Sequence, residues 1–322
     1  MKELLEMLNI DYPIIQAPIG GVVTTELVAA VSNCGALGGL ALSWSSPEDA
    51  EIKIKQLKSL TSKPFYANFV LNFEPKALKR TLELDVKIIQ FSWGMPSIEL
   101  VDLIKSFNAK IGIQVTDKES ALRAMSLGAD YLVCQGTQAG GHVQASKTLE
   151  KALPEVLQAA NGKMPVLASG GISCGNDIKK FLVLGASGVV MGSRFVASIE
   201  SGAHQIYKEN LVNSNSDDTV LTVCMNKGWD NASHRIIRNT TFKMWESDGC
   251  AKIGNRPGEF DILGKNVSGK NIERYSFSAP VSGVSGNIEA MTLYAGTSVN
   301  NINNIKSASD IVKDIWDEYL NK

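Results

Sequence analysis

The chain has 322 residues, enough for one large barrel or two ordinary domains around a sizeable core. Its residues are 44% hydrophobic and 20% charged, as in an ordinary globular protein, and 32 Lys and Arg against 33 Asp and Glu leave a formal net charge of −1. That balance, with no basic stripe, argues against nucleic acid or an anionic membrane as the main partner, and no apolar run reaches the ~18 residues of a membrane span.

The N-terminal "MKELLEMLNI" is amphipathic and carries acids, unlike a secretory leader, so the cytoplasm is the expected location. Short apolar runs follow: "YPIIQ" (12–16), "GALGGLA" (35–41), "PFYANFV" (64–70), "VKIIQFS" (86–92), "AKIGIQV" (109–115), "DYLVCQ" (130–135), "MPVLAS" (164–169) and "SGVVMG" (187–192). They do not alternate with polar residues, the pattern of strands buried on both faces. Helix-period stretches such as "TTELVAAVSN", "SPEDAEIKIKQLKSL" and "DKESALRAMSLG" lie between them, opening on the capping residues Thr24, Ser46 and Asp117. Eight strands alternating with helices predict a parallel sheet. Eight closes a (β/α)8 TIM barrel, which is favoured over an open doubly wound sheet. From 213 to 284 the alternation stops and the chain becomes rich in Asn, Ser, Gly and Lys. Two helix patterns, "GNIEAMTLYAGTSVNNI" and "SASDIVKDIWDEYLNK", close it. The expected layout is a barrel over 1–212, a small loop-rich second domain over 213–284, and C-terminal helices over 285–322 that pack back on the barrel.

Residues just after the strand C-termini line the active face of a barrel. After the first strand, "QAPIGG" offers Ala17 and Ile19, whose small or apolar side chains leave backbone groups open to a flat ligand. Asn68 and Gln135 are strand-end amides able to both donate and accept. Behind "YLVCQ" comes "GTQAGGHVQ". Gly140 and Gly141 let backbone approach a ligand closely, and His142 is placed to take a proton from an acidic carbon. After strands seven and eight, "ASGGISCGND" and "VMGSRF" repeat one arrangement: Gly170, Gly171 and Gly192 expose backbone N–H groups and Ser193 adds a hydroxyl. Two such turns on adjacent strands point to phosphate. His204 and His234 fit surface or structural roles. The five cysteines are scattered without a C-x-x-C pair, so no disulfide framework and no metal are expected.

Together, "YPIIQAPIGGVVTTELVAAVSNCGALGGL", "FYANFVL", "IIQFSWGMP", "GADYLVCQGTQAGGHV", "PVLASGGISCGND", "VVMGSRFVASIES" and "YAGTS" make the chain resemble the nitronate monooxygenases, formerly 2-nitropropane dioxygenases, nearly from end to end. The resemblance implies a flavin-dependent barrel. The FMN phosphate would lie on Gly171 and the segment Val190, Met191, Gly192, Ser193. The ring would meet Ala17 and Ile19, with Asn68, Gln135, Gly140 and Gly170 completing the site. It implies His142 as the catalytic residue. The activity implied is oxidation of small alkyl nitronates or nitroalkanes by O2 to carbonyl compounds and nitrite. The chain departs from the family pattern at Gln138 in place of an acid, at Gln144 in place of glycine, at Ser193 where Thr is usual, and in a short span between Asn68 and "QFSWG". Two alternatives stay open: an NAD(P)H-dependent FMN reductase of the quinone or enoyl-acyl-carrier-protein kind, and a flavin-binding sensor or scaffold without turnover.

Overall fold

The computed structural model describes residues 1–321. Each of the eight apolar runs carries a strand: β1 (Ile14–Gln16), β2 (Gly38–Ala41), β3 (Phe65–Val70), β4 (Ile88–Ser92), β5 (Lys110–Val115), β6 (Tyr131–Gln135), β7 (Val166–Ser169) and β8 (Gly188–Met191). β4 and β6 are buried at every position, as two-sided burial requires. Neighbours pair in parallel from β2 through β8, and β1 pairs with β8 from Ile14–Val189 to Gln16–Met191. The last seam closes between β1 and the start of β2. Ile15 bridges Leu37 there, with Gln16 N–H donating to the Leu37 carbonyl at 2.9 Å and Leu37 N–H to the Ile14 carbonyl at 3.0 Å. With both edges paired the sheet is a barrel, not an open sheet.

Two apolar layers hold it. Inside, Ile15, Leu37, Tyr66, Ile88, Tyr131 and Leu167 meet Leu4 and Leu8 of the helix Lys2–Leu8. Outside, the opposite strand faces pack on the helices in one continuous core. The expected caps are in place: Thr24 Oγ1 accepts from Leu27 N–H at 2.9 Å, Ser46 Oγ from Asp49 N–H at 3.1 Å, and Asp117 Oδ1 from Ser120 N–H at 2.8 Å.

The loop-rich segment builds short antiparallel sheets around its own cluster of Cys224, Met225, Ile236, Phe242 and Tyr275. Its strands Thr219–Thr222 and His234–Ile237 pair with each other. The second also pairs with a two-residue strand of the barrel, Gly141–His142, in the register His234–His142 and Arg235–Gly141. Near the end, the structure departs from the helix expected over "GNIEAMTLYAGTSVNNI". The segment holds two 3-10 turns, Ile288–Ala290 and Thr297–Asn301, joined by extended backbone. Tertiary pairing outweighs local periodicity there: Ile237 N–H donates to the Leu293 carbonyl at 2.9 Å and Ala295 N–H to the Arg235 carbonyl at 3.2 Å. The final helix, Ala308–Leu320, does form and lies on the barrel, where Glu318 accepts from Gly175 N–H at 2.9 Å and Trp316 meets Tyr12 edge-on at 5.5 Å. Among the described residues no helix is long and apolar enough to cross a membrane.

Candidate active site

A cavity of about 420 Å³ opens at the C-terminal ends of the barrel strands and runs under the loop-rich segment. It contains Ala17, Ile19, Asn68, Gln135, Gly140, His142, Gly170, Gly171, Val190, Gly192 and Ser193. Met191 is the one residue of the expected set that does not line it. With the two-residue period of β8, its side chain turns into the outer core, and its carbonyl accepts from Ala17 N–H at 2.8 Å.

The floor is a row of amides. Asn68 lies 3.3 Å from Ser92 Oγ, Gln114 Nε2 donates to Gln135 Oε1 at 3.3 Å, and Gln135 Nε2 donates to the His142 carbonyl at 3.2 Å. Gln90 and Gln114 were not singled out from the sequence. The available signal was an amide in the second half of an otherwise apolar run, which Asn68 and Gln135 share. Two family departures find local explanations. Gln144 joins this row, with its N–H on Gln135 Oε1 at 2.8 Å and its Oε1 accepting from Gln114 at 3.2 Å. Gln138 points away from the cavity, accepting from Leu149 N–H at 2.9 Å at the start of the helix Leu149–Ala160 and donating to Glu150 at 2.6 Å.

At the far end the turn after β7 has φ +115° at Gly170 and +72° at Gly171, backbone that L side chains rarely adopt. A Cβ on Gly171 would meet Gln138 Cβ at 3.0 Å and Thr297 Oγ1 at 3.1 Å. Opposite, Ser193 Oγ accepts from Gly296 N–H at 2.9 Å, which leaves its own proton free to donate. Gly296 also touches the glycine loop: a Cβ on Gly140 would fall 2.4 Å from Gly296 N. "YAGTS" and "QAGGH", far apart in sequence, therefore lock together over the cavity.

His142 sits between these ends. Its Nε2 is buried and has no hydrogen-bond partner. Burial, and secondarily His234, pushes its pKa down to about 3, so the imidazole is neutral at physiological pH. His234 is wholly buried and structural: its Nδ1 lies 2.8 Å from the Ala232 carbonyl and its Nε2 accepts from Met225 N–H at 3.0 Å, which sets its tautomer. Aromatic rings surround His142: Trp229 stacked at 4.1 Å, Tyr294 at 5.4 Å, Trp93 at 6.1 Å and Phe277 at 6.3 Å. Trp93 holds φ +56°, a strained conformation for a bulky residue and one common at functional sites. Among the described residues no charged side chain lines the cavity.

The comparisons agree with this architecture. The family model described as nitronate monooxygenase matches residues 1–77 and 72–318. A nitronate monooxygenase from Pseudomonas aeruginosa is 33% identical over 301 residues, covering 79% of this chain and 85% of its own. A probable nitronate monooxygenase from Staphylococcus saprophyticus is 32% identical, covering 67% and 74%. Among solved structures, FabK from Thermotoga maritima superposes with TM-score 0.82 at 28% identity, over 99% of this chain and 96% of that one. Nitroalkane oxidase from Streptomyces ansochromogenes gives 0.80 at 24% identity, over 99% and 98%, and shares the fold. The chain is an oxidoreductase and belongs to the nitronate monooxygenase family.

Proposed function

We propose that the cavity binds FMN and that the enzyme oxidises small alkyl nitronates with O2 to carbonyl compounds and nitrite. The observation that carries this reading is a neutral His142 in the lining of an uncharged cavity, its buried Nε2 without a partner, with a glycine turn at the far end whose backbone and neighbours crowd any Cβ. The residues present fit the cofactor. The Gly170–Gly171 turn with Gly192 and Ser193 suits its phosphate, Ala17 and Ile19 with Gly140 its ring, and the amides Asn68 and Gln135 its polar edge. FMN when bound supplies the electron transfer between substrate and oxygen.

The remaining work falls to the chain. A histidine held neutral is a weak base, so the nitronate, deprotonated before it enters, is the preferred form. The imidazole then donates a hydrogen bond from Nε2 to a substrate oxygen. With a neutral nitroalkane the other tautomer, protonated at Nδ1, leaves Nε2 bare to take the α-proton, more slowly. The aromatic rings and the segment 213–284, which we propose acts as a cap on the barrel of 1–212, exclude water from this exchange. The tail 285–322 returns to the barrel and contributes "YAGTS" to the wall.

The test is aerobic turnover of the FMN-loaded protein with ethylnitronate, with nitrite and aldehyde measured together. Equal release of both supports the reading. The likeness to FabK favours a second one, a nicotinamide-dependent FMN reductase. Absence of nitrite, with steady NADH or NADPH consumption, would establish the reductase instead.

A further inference from the structure

Trp229 belongs to the cap, yet its indole lies flat on the His142 imidazole, with centroids 4.1 Å apart and planes 26° apart. Trp93 meets that indole edge-on at 4.9 Å and the imidazole at 82°, so two indoles fix both the plane and the tilt of one small ring. Trp229 is only 7% exposed and covers the ring whose Nε2 is buried without a partner. Among the described residues His234 is the one titratable group that acts on that ring. His234, 5.7 Å away, has its pKa pushed down to about 4 by burial, and burial raises that of the Tyr294 phenol, so both stay neutral at physiological pH. Arg235, on the strand paired with Gly141–His142, turns its guanidinium to the Thr137 carbonyl, at 3.0 and 2.9 Å.

The segment carrying Trp229 is anchored residue by residue. Arg256 Nη1 donates to the Cys224 carbonyl at 3.3 Å and to Asn226 Oδ1 at 2.8 Å. Met225 N–H donates to His234 Nε2 at 3.0 Å, and Lys227 N–H to the Tyr275 carbonyl at 2.9 Å. Arg256 is held in turn by Glu259, at 2.9 and 2.6 Å, and stacks 4.2 Å over the Tyr275 ring. A buried ion pair is a poor way to add stability but an effective way to fix one arrangement.

We propose that Trp229 is a positioning residue: its indole holds the His142 imidazole in one plane and shields the stacked face from water, with the Arg256–Glu259 pair anchoring the segment that carries it. This rests on the reading of His142 as the group that faces the substrate, but its test needs neither substrate nor flavin.

The chain has three histidines, so the imidazole signals of the isotope-labelled full-length protein can be followed by NMR across pH and assigned with His142→Gln. In the wild type, His142 should stay neutral down to about pH 5. Trp229→Leu keeps an apolar bulk without a plane, and Trp229→Ala removes both. Each should admit water and raise the His142 midpoint by about one pH unit or more. Trp229→Phe should restore most of the wild-type behaviour, and Arg256→Met should shift the midpoint in the same direction as Trp229→Ala but less. Folded Ala and Leu variants that titrate as the wild type does would overturn the proposal. If the Ala variant does not fold, the contrast between Leu and Phe decides: equal midpoints overturn the proposal, and a higher one for Leu supports it. Flavin chemistry other than nitronate oxidation would remove the proposed function while leaving this result standing.

Discussion

His142 combines a buried Nε2 without a partner, which is costly, with neutrality and with four aromatic rings around it. A buried polar atom left unpaired costs about 1–3 kcal/mol, which a ligand supplying the missing hydrogen bond recovers. His142→Ala is therefore expected to retain FMN. It should lose roughly 100-fold or more in kcat/KM on neutral nitroalkanes, which need a proton removed, and about tenfold on nitronates, which do not. Steady-state kinetics on both substrate forms checks the split, and equal losses would contradict it. Gly171→Ala meets a different limit. Its φ of +72° and a Cβ within 3.1 Å of Gln138 and Thr297 strain the turn. The fold should survive at a cost of about 2 kcal/mol, with flavin lost on gel filtration. At this scale the place of these residues around the cavity was legible from glycine turns and strand amides, but their use was not: Gln135 spends its amide on the His142 carbonyl and the Gln144 N–H, which an amide beside a loop does equally well. Trp93 was not legible: nothing in "FSWGMP" announces a left-handed tryptophan aimed at His142.

The strands and their caps are the most legible elements, since burial on both faces and an N-terminal acceptor are local chemistry. Asp117 forms a reciprocal box with Ser120 on the helix Lys118–Ser126 and does not line the cavity. Asp117→Ala should cost about 1 kcal/mol, seen as a lower melting temperature with cofactor retention unchanged. Two elements were illegible for the same reason. Gly141–His142 becomes a strand only because His234–Ile237 lies beside it, and the run ending in "YAGTSVNNI" is held extended by Ile237 and Arg235. Each takes its conformation from residues 56 to 94 positions away, which periodicity within a short window does not contain.

For the whole molecule, the barrel could be read from the count of strands. How the cap reaches the site could not, because Trp229 and Phe277 come from segments with no regular period. The buried histidines of this junction also set its pH response. His142 and His234 have folded pKa values pushed down to about 3 and about 4, below the ordinary 6.5, so the unfolded chain binds more protons between those values. Stability should be full above about pH 6.5 and fall on acidification, by up to roughly 1.4 kcal/mol per pH unit for each histidine, until the folded values are reached. Melting temperatures from pH 7 to 4 measure this, and His234→Gln should flatten the slope. The central claim is that this site oxidises a nitronate. Its most direct measurement is the flavin spectrum of the FMN-loaded protein mixed anaerobically with an alkyl nitronate, NADH or NADPH. Reduction by the nitronate, with both nicotinamides ineffective and nitrite released on admitting oxygen, is the expected result. Rapid bleaching by a nicotinamide, with the nitronate inert, would contradict it.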